Sequence, residues 1–119
     1  ITPLAEDLGK TGTPVRVHLI RELDTTITKD FNIVINTTPL GMEPLTAQSP
    51  LPEELLHPGQ TVFDIVYAPE ETSFLRSALR RGCRTIPGKE MLLYQGVQQF
   101  RLWTGTDAPV EIMRAALKG

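Results

Sequence analysis

Residues 33–42 read IVINTTPLGM. Ile33-Val34-Ile35 is a β-branched run, and such side chains pack well on a pleated surface. The run stops at Asn36, Thr37 and Thr38 and breaks at Pro39 and Gly41. A strand of continuous rather than alternating apolar residues belongs in a parallel sheet covered on both faces. The three hydrogen-bonding side chains then stand at the carboxyl end of that strand, where open α/β sheets bind their ligands. The same residues are also ordinary turn formers, so the stretch by itself admits both readings.

On either side the pattern alternates strand with helix. Upstream, residues 2–9 look like the tail of a helix closed by Gly9, with residues 10–12 as a turn. Residues 15–20 (VRVHLI) alternate and are β-branched, which predicts a strand. Residues 21–31 are polar and read as a short helix or loop. Downstream, a loop over 39–50 holds three prolines, and PEELLH (52–57) reads as a short helix with acidic residues near its positive end. TVFDIV (61–66) predicts a further strand. Thr72 is a candidate N-cap for a helix with Phe74, Leu75, Ala78 and Leu79 at helical spacing, stopped by Gly82. Cys83 to Ile86 is a short strand. Lys89 to Trp103 is an amphipathic helix on Leu92, Val97, Phe100 and Trp103, and 109–117 a last helix on Val110, Met113, Ala116 and Leu117. The expected fold is α/β: three layers around a mostly parallel sheet.

Composition narrows the function. A chain of 119 residues suits one domain, and a net charge of -2, from 12 basic and 14 acidic residues, offers no nucleic-acid or anionic-membrane surface. Its single cysteine, Cys83, excludes an internal disulfide and favours a reducing, cytoplasmic setting. No apolar run approaches the roughly 20 residues that cross a bilayer. His18 and His57 have no second ligand at metal spacing. No two of the glycines stand two apart, so the Gly-x-Gly turn that brings backbone to a dinucleotide pyrophosphate is missing.

Asn36-Thr37-Thr38, Tyr67 and Pro87-Gly88 all follow predicted strands, which places them on one sheet edge. Each also has a plain reading: Tyr67 as a half-buried aromatic, Gly88 as a helix-entry turn. Gln95, one turn after Met91 and beside Gly96, reads equally as a surface glutamine.

INTTPLGM (35–42), DIVYAPEETSFL (64–75) and PGKEMLLYQGVQQFRLWTG (87–105) together resemble successive signatures of the shikimate dehydrogenases. Residues 107–117 resemble that family's closing helix. The resemblance implies reduction of 3-dehydroshikimate to shikimate with NADP(H) by the carboxyl-terminal part of a Rossmann-like domain. By motif, Tyr67 and Gln95 would contact the substrate. Ile65, Gly88 and Met91 would lie at the nicotinamide end of the cofactor, with Thr38 and Asn36 lining its cleft. Asp64, Pro69 and Thr72 are family-like but structural. The family often has alanine where Thr37 stands and a small residue where Glu90 stands. Its catalytic lysine-aspartate pair, its glycine-rich loop and the segment that reads the NADP phosphate have no counterpart here. The chain is therefore expected to be a fragment, a partial nucleotide-binding domain over 1–119 with the closing helix at about 106–119. Such a fragment would be inactive alone and, with an apolar strand edge exposed, prone to self-association. The alternatives are a quinate/shikimate dehydrogenase using NAD and a non-catalytic nucleotide-binding or interaction module.

Overall fold

A computed structural model describes residues 2–12 and 14–117. Three strands make one all-parallel sheet in the order β1 (Ile33–Asn36), β2 (Thr61–Asp64), β3 (Arg84–Ile86). Asn36 registers with Asp64 and Phe63 with Ile86, so the strands finish nearly in line and their following loops leave on one edge. Strand periodicity puts Val34, Asn36, Val62, Asp64 and Thr85 on one face, and Ile33, Ile35, Phe63, Arg84 and Ile86 on the other.

The first face is the core. Val62, Leu56, Phe74 and Ala78 are wholly removed from solvent, joined by Leu51, Leu55, Leu75 and Cys83. Helix α3 (Ser73–Arg80) covers this face. It starts where Thr72 Oγ1 accepts the Leu75 N–H at 3.3 Å, satisfying one of the helix's free donors. It stops before Gly82, whose φ of 74° only glycine adopts freely. Gln60, fully buried, donates to the carbonyls of Thr28 and Phe31 and accepts from His57 N–H. One buried amide thus fixes the approach to β1 against the approach to β2. A second apolar cluster holds α4 (Gly88–Thr104) to α5 (Val110–Ala116) through Leu93, Val97 and Ala108, with Phe100, Val110, Met113 and Leu117 packed against them. Helix α5 falls within the segment expected at about 106–119 and ends at Ala116; residues 118 and 119 lie outside the described residues.

Four expectations need correction. Residues 15–20 form no strand: Val15, Val17 and Leu19 are exposed, and Ile20–Glu22 is a one-turn 3-10 helix. A strand needs a ladder partner, and none of the described residues pairs with this segment. Nor do the described residues cover the sheet fully on both faces. Ile33 is 64% and Ile35 51% exposed, and Phe63 with Ile86 opens onto a groove of about 1040 Å³ flanked by Tyr94 and Gln98 of α4. Strand β2 ends at Asp64 rather than residue 66, because the Asp64 carboxylate takes the Val66 N–H at 3.0 Å and turns the chain. Finally, Trp103 is 81% exposed and outside the α4 stripe. That stripe runs Leu93, Val97, Phe100, and at 100° per residue Trp103 falls roughly 80° around the helix from Leu93.

The remaining elements follow the sequence. Helix α1 (Thr2–Gly9) closes as expected, and α2 (Thr25–Thr28) is one turn capped by Asp24, whose Oδ1 accepts from Thr26 and Ile27 N–H. The short helix read over residues 52–57 is a 3-10 turn, Glu53–Leu55.

Candidate functional site

Two of the loops that leave the carboxyl edge of the sheet meet the first turns of α4 around a cleft of about 410 Å³. The loop after β1 contributes Thr37, Thr38 and Met42. The loop after β2 contributes Ile65 and Tyr67, and α4 contributes Met91, Leu92 and Gln95. Thr38, Ile65, Tyr67, Met91 and Gln95 are thus brought together, though they are distant in sequence. Tyr67 and Gln95 are both exposed, while Ile65 and Met91 are partly buried.

Asn36 and Gly88 stand behind the lining rather than in it. Asn36 is only 2% exposed. Its Nδ2 donates to Asp64 Oδ1 at 2.9 Å and to the Leu40 carbonyl at 3.1 Å. Its Oδ1 accepts from the Thr38 N–H at 3.0 Å and from Thr38 Oγ1 at 2.7 Å. Asp64, fully buried, also accepts from Thr72 Oγ1 at 2.6 Å through its second oxygen. Asn36, Asp64 and Thr72 therefore tie together the ends of β1 and β2 and the cap of α3, leaving no polar side-chain atom unpaired among the described buried ones. Gly41 (φ 97°) passes this network so closely that a Cβ would lie 3.2 Å from that of Thr72. The structural reading of Asp64 and Thr72 agrees with these contacts.

Gly88 brings α4 against the sheet. A Cβ there would lie 2.5 Å from the Val66 carbonyl oxygen and 2.6 Å from that of Ile65, closer than any real side chain sits. The close approach sets Met91 and Gln95 opposite Ile65 and Tyr67. Lys89 adds an ion pair to Glu70 at 2.8 Å, fastening the same helix turn to the loop after β2. Glu90 pairs with Arg114 of α5, and at Gly96 the approaching atom is Met113 Cε of α5, 3.0 Å from the Cβ position.

The cleft is mainly apolar, and among the described residues Tyr67 is the one ionisable group in its lining. Perturbed titrations lie in the scaffold instead. The Arg80 guanidinium beside Glu53 holds that carboxyl below the ordinary glutamate range, and burial pushes the Cys83 thiol up. A hydrogen bond from the Thr26 hydroxyl lowers Asp24. Among the described residues no group of three or more His, Cys, Asp or Glu side chains could hold a metal ion, and no helix is long and apolar enough to cross a membrane. Met42 and Leu92 are cleft residues that the sequence reading does not place there: it puts Leu92 on the apolar stripe of the helix, a place that Leu93 takes instead. Met42 closes INTTPLGM and Leu92 lies within PGKEMLLYQG, so membership of these two stretches is the only signal in the sequence.

A family model described as the shikimate 5'-dehydrogenase C-terminal domain matches residues 88–118. The shikimate dehydrogenase (NADP(+)) of Moorella thermoacetica is 54% identical over 87 residues, 73% of this chain and 30% of that protein. Quinate dehydrogenase from Corynebacterium glutamicum, solved in complex with NAD, superposes with a TM-score of 0.81 at 33% identity over 96% of this chain and 40% of its own. Shikimate 5-dehydrogenase from Thermus thermophilus, solved with NADP(H) and shikimate, gives 0.73 at 34% identity over 81% of this chain and 36% of its own. The chain spans 30% to 40% of the length of these three proteins.

Proposed function

We infer that this chain, which belongs to the shikimate dehydrogenase family, forms one wall of the active site of an NADP-dependent oxidoreductase that interconverts 3-dehydroshikimate and shikimate. The observation that carries the reading is the convergence of Thr38, Ile65, Tyr67, Met91 and Gln95 on one cleft at the carboxyl edge of a parallel sheet. A cleft of about 410 Å³ lies within the usual range for small-molecule sites, roughly 300–1,000 Å³. Its chemistry fits the nicotinamide end of a dinucleotide: the flat ring suits the apolar side chains of Ile65, Met91 and Leu92, with Thr38 as the polar group at one side. The bound dinucleotide would supply the hydride exchanged with the substrate's ring carbon.

Tyr67 and Gln95 hold the substrate. The glutamine amide offers a donor and an acceptor together, and the phenol offers either, which suits a ring bearing several hydroxyls. Ile65 and Met91 exclude water from the face where hydride moves, and Gly88 sets their separation. Proton transfer needs an acid-base group, and the described lining supplies none beyond the Tyr67 hydroxyl. The resemblance assigns that role to a lysine-aspartate pair in an amino-terminal substrate domain, so residues 1–119 alone are expected not to turn over. The expected setting is the cytoplasm, with small molecules rather than nucleic acid or membrane as partners. The exposed edge and open face of β1 favour self-association of residues 1–119.

Expressed from its complete reading frame, the protein should reduce NADP⁺ in the presence of shikimate, followed by absorbance at 340 nm. No reduction of either nucleotide with shikimate or with quinate would overturn the reading in favour of a non-catalytic module. The likeness to the NAD-bound quinate dehydrogenase supports a second reading, oxidation of quinate with NAD. Specificity constants for the two substrates with each nucleotide separate the two.

A further inference from the structure

The Asn36 network does more than hold a turn, because it fixes the direction of a hydroxyl. The Nδ2 side of Asn36 faces the Asp64 carboxylate and the Leu40 carbonyl, both of which only accept. Turning the amide over would set Oδ1 against two acceptors inside a buried site, so its orientation is determined. Oδ1 must therefore face Thr38, where it takes both the backbone N–H and the hydroxyl hydrogen. Asp64 is held in turn. Its Oδ1 also receives Val66 N–H, and its Oδ2 receives the hydroxyl of Thr72, which itself accepts from Leu75 N–H. Every group meeting that carboxylate donates to it, and none can reverse.

The consequence falls on Thr38, which is exposed and lines the cleft. Its hydroxyl hydrogen is committed to Asn36, and one lone pair receives Leu40 N–H at 3.3 Å. What remains is a single lone pair. A threonine normally offers a ligand either a donor or an acceptor; here only the acceptor is left.

We propose that Thr38 accepts an N–H from the ring carboxamide of the nicotinamide cofactor, and that Asn36, locked by Asp64 and Thr72, is the positioning residue that makes Thr38 an obligate acceptor. The proposal rests on the dehydrogenase reading above and adds to it a discrimination: ligands whose ring substituent carries an N–H are preferred over those that carry only a carbonyl. Thr38 touches the cofactor, and Asn36 acts solely through it.

The test uses the protein expressed from its complete reading frame and two probes, NADP⁺ and its 3-acetylpyridine analogue, in which a methyl group replaces the carboxamide NH₂. Dissociation constants are compared because turnover also reflects the altered redox potential of the analogue. NADP⁺ should bind roughly 3–10-fold more tightly than the analogue, the worth of one hydrogen bond. Thr38→Val should abolish that ratio by weakening NADP⁺ alone, and Thr38→Ser should restore it. Asn36→Ala should reduce the ratio in the native background and leave it unchanged in the Thr38→Val background, since a residue acting through Thr38 has nothing further to act on. A merely structural Asn36 would weaken both probes equally. Should Asn36→Ala fail to fold, the two Thr38 variants still decide. Failure of the native protein to bind NADP⁺ would overturn the dehydrogenase reading and this proposal together. Binding of both probes with equal affinity, or a ratio that survives in Thr38→Val, would overturn this proposal alone.

Discussion

Replacing Gly88 by alanine adds one methyl group where the backbone leaves no room for it. The new Cβ would start 2.5 Å from the Val66 carbonyl oxygen and 2.6 Å from that of Ile65. Ordinary contact begins at 3.4 Å, so the first turn of α4 must recede by about 0.9 Å. The obstacles are backbone atoms of the segment leaving β2, which cannot rotate away as a side-chain tip would. Overpacking of this kind typically costs about 1–3 kcal/mol. Loss of glycine freedom in the unfolded chain offsets roughly 0.4–1 kcal/mol of that, so the net effect is a destabilisation of about 1–2 kcal/mol. For a domain of this size that corresponds to a fall in Tm of roughly 3–10 °C. The displacement also widens the cleft between Ile65 and Met91, so KM for NADP⁺ should rise. Gly9 provides the control: nothing lies within 4 Å of its Cβ position, and Gly9→Ala should leave Tm unchanged or slightly raised. Thermal melting and nucleotide kinetics on the complete protein read both effects. A Gly88→Ala variant as stable as the parent, with unchanged KM, would refute the close approach of α4 to β2.

Other outcomes follow from the same geometry. Under the proposed role, Gln95→Ala would remove two hydrogen bonds to substrate, about 1–3 kcal/mol together; KM for shikimate should rise roughly 5–150-fold while KM for NADP⁺ changes little, and equal effects on both would contradict its assignment. The Glu53 carboxylate, 2.5 Å from Arg80, should titrate below the ordinary glutamate range in an NMR titration and return to it in Arg80→Ala. Because its folded pKa is depressed, its contribution to stability is present above the unfolded value and is lost as pH falls through the folded one; a Glu53 midpoint unmoved by Arg80→Ala would exclude the pairing. Residues 1–119 on their own should sediment as a concentration-dependent mixture, and Ile33→Lys with Ile35→Lys should return them towards monomer. A monomeric parent chain would show that the open face is not adhesive.

Much of the fold is legible because local rules and tertiary context agree. Thr72 caps α3 and Gly82 ends it, and continuous apolar strands do join in parallel. The failure at residues 15–20 is instructive, because VRVHLI has every intrinsic mark of a strand. Propensity prepares a segment for pairing without providing the partner, and the described residues hold none. Trp103 misleads for a related reason: an apolar residue near a helical stripe is not necessarily on it. At the site, strand-end position was enough to collect Thr38 and Tyr67, while Gln95, inside α4, was reached only through the family resemblance. The same signal could not separate lining from support. Asn36 and Thr38 are two residues apart and chemically alike on paper, yet one is 2% exposed and the other faces the cleft. What divides them is Asp64, 28 residues away in sequence and 2.9 Å from the Asn36 amide.

The most direct test of the central claim is a crystal structure of the complete protein with NADP⁺ and shikimate. The nicotinamide ring should lie against Ile65 and Met91 with Thr38 at its carboxamide, and shikimate hydroxyls should meet Tyr67 and Gln95. Ligands bound elsewhere, such as in the groove between Phe63 and Tyr94, with this cleft empty, would contradict the account.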